Sequence, residues 1–153
     1  MCVERRLGGI VKILAVLSGA MLLVVGNAGA QTAPADARVA VSRLLEAIKA
    51  GDRARYTEIG PKLVMMAAPD FGVPVSFEEA RKAFGGCSLT SLSDPRPLDG
   101  FPASIVTATM TCGPPWPAEP ATFDFMADGK VVHGIYPGGI GRFYPNLGKK
   151  PHP

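Results

Sequence analysis

Histidine, tryptophan and net charge are all in short supply in this 153-residue chain. Its two histidines, His133 and His152, have no metal-like spacing to a cysteine, so neither a metal site nor a cofactor is expected. No serine–histidine–aspartate order and no phosphate-cradling glycine loop occurs. The basic excess is small, 16 Lys and Arg against 13 Asp and Glu, and Arg5, Arg6, Lys12 and Glu4 fall in a leader expected to be removed. What remains is close to neutral, which excludes the electrostatic footprint of a nucleic-acid binder. Arg142, Lys149 and Lys150 are too few for a membrane-binding patch. The apolar run Ile13 to Val25 falls short of the roughly 20 residues that span a bilayer.

What the N-terminus does contain is a basic start, MCVERR, that short apolar core, and Ala28-Gly29-Ala30. Small residues at the −3 and −1 positions suit a signal peptidase, so residues 1–30 read as a leader cleaved after Ala30. The expected product is periplasmic or secreted, with no stable membrane anchor after cleavage. Two cysteines then remain, Cys87 and Cys112, and an even count in an oxidising compartment argues for one disulfide. Residues 31–147 are long enough for one domain with one core, and residues 148–153 read as a disordered tail.

Val41, Leu44, Leu45 and Ile48 form one apolar stripe at helical spacing. Gly51 is placed to end that helix, and Asp52 to cap a second, RARYTEIG, stopped by Gly60-Pro61. KLVMMA is ambiguous between strand and helical turn, and APDFGVP reads as a loop. Ser76 and Glu79 have capping-box spacing, which predicts a third helix over SFEEARKAF. Then CSLTSL reads as a short strand, and ASIVTATMTC alternates with Val106, Ala108, Met110 and Cys112 on one face. GPPWPAEP is a stiff loop, and TFDFMADGKVVHGIYP a hairpin turning at Asp128-Gly129. Antiparallel pairing of the cysteine strands would set Leu89 against Met110. The expectation is therefore an α+β domain: helices packed on a curved antiparallel sheet of about four strands, stapled by one disulfide. The sequence after Pro137 reads as an irregular tail.

The helix ending in AIKAGD, and the late F-x-F-x-x-D-G-K-V at Phe123, Phe125, Asp128, Gly129, Lys130 and Val131, resemble the nuclear transport factor 2-like superfamily of α+β cones. That resemblance implies a conical, often apolar pocket between sheet and helices and frequent dimerisation through the sheet. Its members include isomerases, dehydratases, cyclases and non-enzymatic binding domains, so it fixes no activity. Its steroid-isomerase branch uses a tyrosine and two carboxylates, of which only Tyr56 has a counterpart here.

A two-residue Asp128-Gly129 turn pairs Phe125 with Val132 and sets Asp124 opposite His133, away from the aromatic core face. A carboxylate beside an imidazole makes a candidate general base, with Tyr56 as a third candidate catalytic group; a polar cross-strand pair is the structural alternative. A bulged three-residue turn would instead bring His133 to Phe123. Tyr56, Met65, Met66, Phe71, Phe84 and Met110 are candidates to line a pocket for a small apolar ligand. Trp116, in its proline-rich loop, is a candidate protein-interaction anchor. The reading adopted is an exported, non-catalytic module binding a small apolar ligand, with a homodimer as a candidate assembly. An isomerase-type enzyme and a protein-interaction domain are the alternatives. N-terminal sequencing of the exported protein is expected to begin at Gln31, and a chain still carrying Met1 contradicts the leader.

Overall fold

The structure, a computed structural model, describes residues 34–147. The expected leader with its cleavage site, and the expected disordered tail at 148–153, lie outside the described residues.

Helix α1 spans Pro34–Ala50. Its buried stripe is Ala37, Ala40, Val41, Leu44, Ala47 and Ile48, residues three or four apart that fall on one side of a helix. Gly51, at φ +74°, turns the chain, and the Asp52 carboxylate accepts from Arg55 N at 3.0 Å to cap α2, Arg53–Ile59. Helix α3, Phe77–Phe84, carries the expected capping box: Ser76 N donates to Glu79 Oε2 at 2.7 Å and Glu79 N donates to Ser76 Oγ.

The sheet is larger than expected and not purely antiparallel. Its seven strands are β1 (Val64–Ala68), β2 (Phe71–Pro74), β3 (Ser88–Leu92), β4 (Arg96–Pro97), β5 (Ser104–Thr111), β6 (Ala121–Asp128) and β7 (Val131–Pro137). They run in the order β2-β1-β7-β6-β5-β3, with β4 also on β5. KLVMMA thus resolves as a strand, and APDFGVP is not a loop but the turn and second arm of the β1–β2 hairpin. That hairpin joins the sheet by parallel pairing of β1 with β7, Val64 to Gly134 and Met65 to Ile135. Two features hid it. Asp70 takes a left-handed turn conformation at φ 59°, which Asp tolerates. Gly72, which reads as a breaker, is a close-approach position, since a Cβ there would collide with Val64 Cγ1.

Alternation on β5 is as expected, with Val106, Ala108, Met110 and Cys112 buried. Ser88 pairs with Thr111 and Leu89 with Met110, and the Cys87–Cys112 disulfide closes that end. Both faces of the sheet are covered. On the inner face α1, Tyr56, Ile59 and Phe84 pack against Val106, Met110, Phe123, Phe125, Val132 and Ile135. On the outer face Leu98, Ile105, Tyr136, Ile140 and Phe143 form a second cluster. Ile140 and Phe143 belong to the stretch after Pro137 that reads as an irregular tail. A short 3-10 turn at Ile140–Arg142 seats it on the sheet instead.

Replacing Cys87 and Cys112 by alanine is expected to lower the unfolding free energy by about 3 kcal/mol, the loop-entropy value for closing a loop of this length. The separation is 25 residues. Urea denaturation reads the change, and an unchanged midpoint contradicts a stabilising bridge.

Candidate functional site

Residues that alternation in β6 sends outward decide where the carboxylate–imidazole chemistry can sit. The β6–β7 hairpin turns at Gly129-Lys130, one residue later than expected, with Asp128 paired to Val131 and Ala127 to Val132. Between Val132 and Gly134, β7 then carries one residue more than its partner. This bulge at His133 moves the rest of the register, so Phe125 pairs with Ile135, Asp124 with Tyr136 and Phe123 with Pro137. Neither expected partner of His133, Asp124 or Phe123, lies opposite it.

Asp124 points away from the aromatic core, as alternation requires, but not into solvent: it is 6 % exposed. Thr107 Oγ1 donates to its Oδ1 at 2.5 Å and Ile140 N to its Oδ2 at 2.8 Å. The carboxylate holds the C-terminal segment against the sheet, with both oxygens occupied. His133 meets a different carboxylate, Asp128, with Nε2 2.8 Å from Oδ2. That approach lies off the ring N–H direction, so Nε2 has no hydrogen-bond partner. The contact is a half-exposed approach of imidazole to carboxylate beside the hairpin turn.

Tyr56 lies on the inner side and is equally committed. Its Oη donates to Val75 O at 2.6 Å, and its ring packs on Phe77 at 5.4 Å. Burial, and secondly the nearby Glu79 and Glu78 carboxylates, push its pKa from 10.0 up to about 12. A phenol so protonated and so bonded is a structural donor. The three candidate catalytic groups are therefore not brought together, and each has its own local partner.

The candidate ligand-lining residues also separate. Phe84 and Met110 are closed inside the main core, as is Tyr56. Met65 packs against that core while Met66, the next residue, faces the second cluster. Phe71 is 60 % exposed on β2. Trp116 is not an exposed anchor. Its Nε1 donates to Ala83 O at 2.7 Å, and its ring stacks on Phe84 and meets Phe123 edge-on, so the proline-rich loop plugs one end of the core.

What sequence reasoning missed is the hairpin taken for a loop, and with it Val73 beside the candidates Met65 and Phe71. Val73 pairs with Met65 and Phe71 with Ala68, and cross-strand partners share a face. Phe71, Val73 and Met65 thus form one apolar strip continuous with the inner face, with Val73 42 % exposed. At its Val75 end lies an open groove of about 470 Å³ lined by Pro61, Lys62, Leu63, Val64, Pro74 and Glu79, among others. The F-G-V-P alternation of apolar residues was the available signal. A second open groove, about 610 Å³, runs between Arg38, Val39 and Ser42 of α1 and the edge strand β3. Among the described residues no cluster of metal-ligating side chains occurs. Comparison with protein families, curated proteins and solved structures finds no match to this chain.

For Tyr56 the sign of the pH effect is fixed. A phenol whose folded pKa exceeds its unfolded value contributes stability that is complete below about pH 10 and is lost as pH rises through about 12. Titration of phenolate absorbance should show a late transition that loses amplitude in Tyr56→Phe. If all three tyrosines ionise together near the ordinary value, the buried hydrogen bond is contradicted.

Proposed function

We propose that the chain is an exported, non-catalytic binding module of the cone type, and that its apolar ligand seats on the β1–β2 hairpin. The observation that carries this reading is the strip Met65, Phe71 and Val73. It leaves Phe71 and Val73 in water on a face continuous with the main core. Contiguous exposed apolar surface marks binding sites, and leaving Phe71 in water forgoes a favourable burial that a ligand can restore. The groove from Pro61 to Val64 and Pro74 to Glu79 lies at the end of the strip, with Lys62 able to orient a polar end.

Other features support the same reading. Two helices come before the first strand and the third comes before β3, an order close to that of the cone resemblance, and the disulfide is the chemistry of an oxidising compartment. Against catalysis, Tyr56 and Asp124 both have their polar atoms engaged by neighbouring backbone or hydroxyl groups.

Titration with a dansyl-labelled fatty acid is expected to give saturable binding. Phe71→Ser with Val73→Ser should weaken it at least tenfold. Leu89→Ser, exposed at the opposite edge of the sheet, should leave it unchanged. Absence of saturable binding, or equal loss in all three substitutions, overturns the proposal.

A further inference from the structure

The outer face of the sheet carries a buried carboxylate that the binding reading does not use. Asp124 is held by one hydroxyl and one backbone N–H, and among the described residues no Lys, Arg or His lies within ion-pair distance of it. Taking a carboxylate out of water is costly, and here the hydrogen bonds it accepts from a hydroxyl and a backbone N–H offset that cost, so removing it would leave Ile140 N–H buried without a partner. What keeps it covered is the apolar burial of Ile140 and Phe143, with Tyr144 and Leu147 packed beside them. These residues belong to the second cluster and not to the main core.

The segment from Gly138 to Leu147 is tied to the sheet at few points. Gly138 N donates to Thr122 O at 2.9 Å, Gly139 N to Tyr136 O at 3.0 Å, and Ile140 N to Asp124. Its remaining backbone bonds are local: Arg142 to Gly139, Phe143 and Tyr144 to Ile140, and Leu147 to Tyr144. No strand pairing holds it. The chain turns into it through Gly138 and Gly139, at φ +78° and +93°, a pair that can swing without strain where other residues cannot. A Cβ at Gly139 would lie in ordinary contact with Asp124 Oδ2, at 3.4 Å, so this turn passes directly beside that carboxylate.

We propose that Gly138–Leu147 is a strap that opens as one unit while the main core stays folded, with Asp124 as its latch. Opening returns the carboxylate to water and uncovers Leu98, Ile105, Met126 and Tyr136, an apolar sheet face. The strap thus controls access to a surface on the opposite side of the sheet from the main core. Separate clusters with few cross-links are the physical basis of such sub-global opening.

Hydrogen exchange on the intact, oxidised protein tests this. The amides of Ile140, Phe143, Tyr144 and Leu147 are expected to exchange as a group, at least tenfold faster than those of Phe123 and Phe125. Asp124→Ala should speed that group about tenfold further. Asp124→Asn, which keeps an oxygen for Ile140 N–H, should recover most of the protection. Should Asp124→Ala not fold, Gly139→Ala, which strains the strap's entry turn at φ +93°, is expected to speed the same group. Strap amides as slow as those of Phe123 and Phe125, or indifferent to both Asp124→Ala and Gly139→Ala, overturn the proposal.

Discussion

From their turn, β6 and β7 run in step only as far as the pair Ala127–Val132, where β7 takes up one residue that β6 does not match. That bulge at His133 is the constraint on which the outer face depends. It brings Tyr136 opposite Asp124 and carries the chain past Pro137 at the point where Gly138 N reaches Thr122 O. Ile140 N then arrives at the Asp124 carboxylate. Without the extra residue every side chain beyond it on β7 would exchange faces, because strand periodicity is two. Ile135 would leave the core and Tyr136 would enter it.

The consequence is a sheet with two unlike coverings. Its inner face is sealed by α1 and by aromatic contacts among Phe84, Trp116 and Phe123, and it is stapled at one end by Cys87–Cys112. At the other end the β1–β2 hairpin extends the same face past the helices and leaves Phe71 and Val73 open. The outer face is sealed by the Gly138–Leu147 strap, tied through one buried carboxylate. The proposed binding strip and the proposed strap lie on different sides of one sheet, and one strand, β6, supplies both the phenylalanines that fill the inner core and the carboxylate that meets the strap.

Local signals in the sequence carried the helices and the central strands. The stripe in α1, the Asp52 cap, the Ser76–Glu79 box and the alternation of β5 each involve residues within a few positions of one another, so propensity and packing agree. The cysteine pairing was also legible, because only two cysteines fall outside the expected leader. Elements that depend on distant partners were not. β1 joins the sheet by parallel pairing to β7, a strand far along the chain, and Gly72 looks like a breaker until Val64 is known to lie against it. The outward face of Asp124 followed from alternation, but its burial depends on a segment whose glycines and prolines suggest no structure. The hairpin register turned on a single residue, which composition cannot fix, and the candidate catalytic pair was lost with it.

The most direct test of this arrangement is the cross-strand contact pattern of β6 and β7 in solution. Nuclear Overhauser contacts between the backbone protons of Asp124 and Tyr136, and of Phe125 and Ile135, are the result this account predicts. Contacts joining Asp124 to His133, with Phe125 against Val132, would contradict it and return the acid–base pair to the structure.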